Sequence, residues 1–354
     1  MAPTTQKALL LPKKQGQWIV GERPVPIPGP KDVLIKITAA ALNPVDWKIQ
    51  ALGFVIENYP WVGGQDGAGI IEEIGSEVTN VAKGDTVFFQ GWPLENTKAT
   101  FQQYAAVAAE IVAKVPKNVT IDQAASIPLG LATVATGLWG QHPQAKSAGF
   151  PAPWEEGGAI KFAGKPILII GGSSSVGQYA IQLAKLSGFS PIITTSSLRH
   201  EEYLKSLGAT HVLERTLTSS SIEAEVSKLV GGKPVELVYD AISHADTQQL
   251  AYGILAPGGH LIIVLPDLVP AEKKNSGDNK TVVSVAGSVQ MPENRALGVA
   301  LYSRLTEWLE TGKLVPNRVE VLPGGLVGII DGLERMKKDL VSGTKLIAHP
   351  QETP

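Results

Sequence analysis

The 354-residue chain contains no cysteine. Disulfides are thereby excluded, and so is any metal centre built on thiolate ligands. The chain also lacks a run of about eighteen apolar residues, the length needed to span a bilayer. Residues 1–11 have no apolar stretch of the signal-peptide kind, so a cytoplasmic location is expected. No charge of one sign dominates: 31 basic against 33 acidic residues leave a formal balance of −2, and no basic block accumulates. Nucleic acid and anionic membrane surfaces are poor partners for such a chain, which leaves a small molecule as the expected one. What remains is ordinary globular material, 44% hydrophobic and 18% charged, long enough for two domains.

From residue 7 to about 125 the chain reads as short β-like runs, such as Asp32-Val33-Leu34-Ile35-Lys36-Ile37, punctuated by Gly and Pro. This predicts a β-rich, barrel-like domain. A helical stretch is predicted over 121–139, and the Pro-, Gly- and Ala-rich segment 141–166, which carries Trp154, reads as an ordered loop. Then the periodicity changes. Continuous apolar runs at 166–170, 191–195, 235–240 and 261–264 alternate with helical stretches at 176–187 and 201–207. Strands buried on both faces and separated by helices predict a doubly wound parallel sheet, so the fold class is α/β. A helix at 296–311 follows, and strand-like runs at 314–321 and 345–347 suggest a return to the first domain. The expected division is therefore 1–125 completed by 312–354, with 126–311 as the parallel-sheet domain.

The sharpest local signal is Gly171-Gly172-Ser173-Ser174-Ser175-Val176-Gly177, set between an apolar strand and a helix. Small residues let the backbone approach a pyrophosphate, and the helix start stabilises its charge. Gly172, Ser173, Ser174, Ser175, Val176 and Gly177 are thus dinucleotide-binding candidates, although Ser174 stands where the usual fingerprint has its middle glycine. The alternative is a tight turn alone. A hydrolase elbow needs Gly-x-Ser-x-Gly, which this loop does not form, so its serines are read as phosphate contacts rather than nucleophiles. At the end of the second strand no acidic side chain is present to accept from ribose hydroxyls. Thr195, Ser196 and Ser197 supply hydroxyls instead, followed by Arg199 and His200, a set that suits a 2′-phosphate and favours NADPH. Arg199 and His200 would equally well cap a solvated helix.

Several motifs in order carry a resemblance: Asn43-Pro44-Val45-Asp46-Trp47-Lys48, Gly64-Gln65-Asp66-Gly67-Ala68-Gly69, Gly84-Asp85-Thr86-Val87, the Gly171 loop, Leu207-Gly208-Ala209, Ala256-Pro257-Gly258-Gly259 and Val341-Ser342-Gly343-Thr344-Lys345-Leu346. The chain resembles the medium-chain dehydrogenase/reductase superfamily, in particular its zinc-free quinone-reductase-like branch and the fungal trans-acting enoyl reductases that serve polyketide synthases. The resemblance implies a GroES-like catalytic domain, a Rossmann-type cofactor domain and a substrate cleft between them. Zinc-dependent members of the family use a cysteine near Asn43 to Asp46 and a His-Glu pair where this chain has Gln65-Asp66. Here the thiolates are missing and Gln65 is a poor ligand, so no metal is expected.

Without a Lewis acid, an activated alkene or a quinone is a better hydride acceptor than a simple alcohol, because its developing negative charge needs only hydrogen-bond donors. The expected function is an NADPH-dependent reductase of the C=C bond of α,β-unsaturated carbonyls. Quinone reduction and a non-catalytic NADPH-binding role are the alternatives. Lys48 is the candidate donor, against the reading of an ordinary surface lysine. Asn43 and Asp46 suit side-chain bonds that fix the turn, and Asn43 is also a cofactor-binding candidate. The resemblance implies that Thr133 lies by the nicotinamide, with Thr136 as competitor, and that Ser342 and Lys345 lie near the cofactor. A mid-helix threonine satisfied by its own backbone and a plain turn are the respective alternatives. Glu214 occupies a position where similar NADPH-binding proteins have tyrosine, and would oppose a 2′-phosphate unless Arg215 offsets it. Expected substrates are a hydrophobic enone, enoyl thioester or quinone, in a pocket walled by residues 54–61, 89–93, the Trp154 loop and 265–280. A megasynthase partner is compatible with the resemblance, as are a monomer and a homodimer paired through the sheet edge near 282–285.

Overall fold

A computed structural model describes residues 2–274 and 277–354, which form two compact units: 1–129 with 288–354, and 130–287. The first unit opens with β1 (Thr5–Leu11), β2 (Ile19–Pro24), β3 (Asp32–Ala41), helix α1 (Pro44–Leu52) and β4 (Trp61–Val62). It continues with β5 (Asp66–Ile74), β6 (Thr86–Gln90), β7 (Tyr104–Ala108), β8 (Val112–Lys114) and α2 (Ile121–Ala125). The division falls at the start of α3 (Pro128–Trp139). The second unit then runs β9 (Ile167–Ile170), α4 (Ser175–Leu186), β10 (Ile192–Ser196), α5 (Glu201–Leu207), β11 (His211–Glu214) and α6 (Ser219–Val230). It closes with β12 (Leu237–Asp240), α7 (Ala245–Ile254), β13 (His260–Ile263), α8 (Ala271–Lys274) and β14 (Thr281–Ser284). The chain returns to the first unit through α9 (Pro292–Glu310), β15 (Val319–Leu322), α10 (Leu326–Lys337) and β16 (Lys345–Ala348).

In the first unit, β2-β1-β4 form one small antiparallel sheet, and β15-β16-β3-β5-β6-β8 a larger one with β7 also on β3. The inward residues Leu9, Val33, Ile35, Ile37, Phe89 and Phe101 build a core that Leu326, Ile329 and Leu346 of the returning segment complete. Each such side chain contributes roughly 1.5–3 kcal/mol by leaving water, so the terminal segment is held firmly to this unit. Helix α9 also belongs here, whereas the sequence reading placed the boundary after it, at 311. Its buried Leu301, Tyr302 and Leu305 explain the difference, since the helix packs along β8.

The second unit is a parallel sheet of order β11-β10-β9-β12-β13-β14 among the described residues. Renumbered from its first strand this is 3-2-1-4-5-6, the doubly wound order whose switch point lies between the first and fourth strands. The expected α/β architecture is therefore present: one unit is β-rich and the other holds a Rossmann-type sheet. Strands β9 and β12 are buried throughout, as their continuous apolar runs predicted. Two boundaries and one helix differ. The helix expected over 121–139 breaks into α2 and α3 at Pro128, whose ring disfavours helix in the residue before it. The strand expected from 314 begins only at Val319, after Pro316, which has no amide to give to a ladder. Helix α10 was not anticipated, although Leu326, Ile329, Ile330 and Leu333 have helical spacing. Segment 141–166 has turns but no helix or strand, as expected, and β14 is the sheet edge. Among the described residues no helix is long and apolar enough to cross a membrane.

Candidate active site

In the second unit the glycine loop follows β9 at the switch point. Gly171 has φ +81°, a conformation L side chains rarely adopt. A Cβ on Gly172 would lie 2.1 Å from Thr194 Oγ1, and one on Gly177 would lie 2.2 Å from the Gly171 carbonyl oxygen. Both positions therefore require glycine for close approach of strand, loop and helix. Ser174 is the N-cap of α4: its Oγ accepts from the Gly177 amide at 3.0 Å and donates to the Gly171 carbonyl at 2.8 Å. The departure from the glycine fingerprint thus has a structural use. Thr195 holds the loop from the side, its Oγ1 accepting from the Gly171 amide at 3.1 Å and its carbonyl from the Gly172 amide at 3.0 Å. The Val176 amide, in the first helical turn, is used by neither the cap nor these loop bonds, and the Ser173 hydroxyl has no protein partner among the described residues. A backbone cradle, a helix start and a hydroxyl are what a pyrophosphate requires, so the residues fit a dinucleotide.

The ribose-side corner gathers at the ends of β10 and β11, where Ser196 pairs with Glu214. Ser196 Oγ donates to the Ser197 carbonyl at 3.3 Å. Arg199 is exposed, and its Nε donates to Nε2 of the buried His200 at 3.2 Å. Glu214 is held back on the protein by the Leu198 amide at 3.2 Å. Arginine and carboxylate therefore share this edge, and the sequence reading identified both.

Also in the second unit, Thr133 lies on the buried face of α3, where a Cβ on Gly287 would lie 2.2 Å from its Oγ1. Tyr239 Oη donates to the Thr133 carbonyl at 3.1 Å. Thr136, the competitor, turns its hydroxyl onto the Ala132 carbonyl at 2.7 Å, one turn back along the helix.

The first unit holds a buried polar cluster. Asp66, fully buried at the start of β5, accepts from the Leu129 amide at 2.6 Å and from Asn43 Nδ2 at 2.9 Å, and pairs with Lys345 Nζ at 2.9 Å. Lys345, only 3% exposed, also donates to Asn43 Oδ1 at 2.5 Å. Asp46 Oδ2 accepts from the Asn43 amide at 2.8 Å, while its buried Oδ1 makes no hydrogen bond of normal geometry among the described residues. Burial pushes the Asp46 carboxyl up to about 7, with Asp66 adding to the rise and the Asn43 amide, Lys345 and the Gly64 amide opposing it. Asn43 and Lys345, read from sequence as cofactor contacts, are thus joined to each other and to Asp66, the hub that sequence reading quoted without giving it a role. As a metal site the cluster does not fit: an ammonium already faces its carboxylate, and an amide stands where a thiolate would serve.

Lys48 differs from Lys345. It is half-buried on α1, its Nζ 5.6 Å from the Trp47 ring centroid, with no carboxylate within 4.0 Å among the described residues. Burial lowers its pKa, an effect that Asp339 partly offsets. A lysine so placed is a better proton donor than a fully solvated one. Nearby in sequence, Val55, Ile56 and Trp61 line a cavity of about 270 Å³ with Pro93 and Leu94, two of the predicted wall segments brought together. Val55 has φ +70°, a strained value for a β-branched residue, at the lip of this cavity. Trp154 and segment 265–280 belong to the other unit, with residues 275 and 276 outside the described ones. Ser342 is exposed in the turn before β16.

A family model described as "Alcohol dehydrogenase GroES-like domain" matches residues 29–117, and one described as "Zinc-binding dehydrogenase" matches residues 175–296. The chain is 32% identical to the trans-enoyl reductase himH of Aspergillus japonicus, over 89% of each chain. It is 30% identical to the trans-enoyl reductase RAP2 of Pyricularia oryzae, over 98% of each. Among solved structures, a putative zinc-dependent alcohol dehydrogenase from Rhizobium etli superposes with a TM-score of 0.82 over 98% of each chain at 22% identity, a likeness of fold.

Proposed function

Because the chain belongs to the medium-chain dehydrogenase/reductase superfamily, and is an oxidoreductase of the enoyl reductase-like kind, we propose that it is an NADPH-dependent, zinc-independent reductase of the C=C bond of α,β-unsaturated carbonyl compounds. The carrying observation is the glycine cradle at the β9–α4 switch point, closed to any side chain at Gly172 and Gly177. The family implies a nicotinamide cofactor, which when bound supplies a hydride. We assign the pyrophosphate to the Val176 amide and Ser173 hydroxyl, and a 2′-phosphate to Arg199, with Glu214 held aside by the Leu198 amide. The unit 130–287 is the cofactor unit in this reading, and the unit containing Lys48 the catalytic one.

Addition at the β-carbon of an enone turns its carbonyl oxygen into an enolate, and the chain must hold that charge with donors. Lys48 supplies an ammonium with no carboxylate within 4.0 Å among the described residues, and burial makes its proton easier to give. The α-carbon then takes a proton from Lys48 or from water, and the reduced carbonyl compound leaves. The absence of cysteine and the ammonium of Lys345 against Asp66 both support zinc independence. The test is NADPH oxidation by the full chain against a panel of enones, enoyl thioesters and quinones, with NADH in parallel. Turnover of enones or enoyl thioesters supports the proposal. Turnover of quinones alone, or cofactor binding with no turnover of any acceptor, overturns it.

A further inference from the structure

A cavity of about 460 Å³ lies in the second unit at the opposite end of the sheet from the glycine loop. Gly171 follows the last residue of β9, whereas the cavity is lined by Leu237 and His260, the paired first residues of β12 and β13. A four-residue strand separates the two ends by on the order of 10 Å. The wall facing these strands comes from the 141–166 segment. Phe150 meets Phe162 edge-on at 4.8 Å and His260 at 5.2 Å, while Phe162 stacks on Phe189 at 4.3 Å. Lys161 Nζ hangs over this aromatic wall, 5.7 Å from the Phe150 centroid and 5.9 Å from that of Phe162.

The charges on the rim are unequal. Lys165 is neutralised by Glu236 at 2.6 Å. Burial lowers the pKa of His260 and keeps its imidazole neutral at pH 7, as a hydrogen-bonding group rather than a cation. Lys161 has no carboxylate within 4.0 Å among the described residues, so the cavity carries one uncompensated positive charge beside the partly exposed ring of Phe150. Its volume falls in the range of small-ligand sites, roughly 300–1,000 Å³. We propose that this cavity is a second small-molecule site, separate from the glycine loop, that takes a planar aromatic monoanion. The ligand's ring lies against Phe150 and His260, and its carboxylate meets Lys161. Aromatic walls select flatness, and the single net charge selects a monoanion over a neutral molecule or a polyanion.

The inference does not rest on the proposed reaction, and its test reads binding alone. Sodium 2-naphthoate is titrated into the full chain, with and without NADPH, by saturation-transfer NMR, beside the neutral isostere 2-naphthamide. The expected result is saturable binding of naphthoate that NADPH leaves unchanged, with the amide bound roughly fivefold more weakly for want of a charge-assisted contact. Lys161→Glu, a change at an exposed side chain, weakens naphthoate by about tenfold or more, and His260→Leu weakens it as well. Failure to saturate at millimolar naphthoate, displacement by NADPH, or an affinity indifferent to Lys161→Glu would each overturn the assignment and leave the cavity a packing gap.

Discussion

Replacing Asp46 with Asn should change how stability depends on pH more than it changes stability itself. The Asp46 carboxyl is fully buried, with one oxygen on the Asn43 amide and the other without a hydrogen bond of normal geometry among the described residues, and burial raises its pKa to about 7. In the unfolded chain it titrates near 3.9. Between these values the folded state keeps a proton that the unfolded state has lost, so stability falls as pH rises, by about 1.4 kcal/mol per unit, and levels off above 7. The whole contribution is about 4 kcal/mol, fully present below pH 4 and lost at pH 8. Asparagine keeps the shape and the acceptor for the Asn43 amide and cannot ionise. Whatever fixed cost its amide carries, the variant should gain about 2.7 kcal/mol on the parent between pH 5 and pH 8. Native-state hydrogen exchange over residues 37–50, compared at the same pH so that intrinsic rates nearly cancel, reads this difference unit by unit. A variant-minus-parent difference constant to within about 0.5 kcal/mol across that range would show that the carboxyl titrates normally and refute the reasoning.

Lys345→Met should destabilise the first unit by roughly 3 kcal/mol, since it leaves Asp66 buried without its counter-charge, and the same exchange measurement detects it. Gly172→Ala places a methyl 2.1 Å from Thr194 Oγ1 and should weaken NADPH by about tenfold or more, measured by calorimetry, through a displaced loop. Arg199→Ala should raise the KM for NADPH by about tenfold while leaving that for NADH within about twofold, if the guanidinium meets a 2′-phosphate. An equal effect on both cofactors would remove Arg199 from that role.

Much of the second unit was legible because β9 and β12 are buried on both faces, and such strands announce themselves as unbroken apolar runs. Helix α10 carries a readable period that the sequence analysis does not use, whereas β11 is short, half-buried and carries no such pattern. The cluster around Asp66 is a different matter. Asn43, Leu129 and Lys345 reach it from segments far apart in the chain, and no local spacing connects them. The family motifs point to two of these residues, Asn43 and Lys345, as cofactor contacts, but a motif carries no sign of their bonds to each other and to Asp66.

Counting protons separates the two cases. The Ser174 hydroxyl has one hydrogen, and the Gly171 carbonyl receives it, so this side chain can still accept but has nothing to donate to a phosphate oxygen. Ser173 keeps its hydrogen, as does the Val176 amide, and these are the groups that a pyrophosphate's acceptors would meet. Lys345 has three, of which Asn43 and Asp66 take two, leaving at most one in a site that is almost closed to water. Its charge is already balanced at 2.9 Å, so a passing anion would gain little from it. Among the described residues Lys48 and Arg199 have no carboxylate within 4.0 Å, and this difference is why the proposal turns to these two positions for charge toward substrate and cofactor.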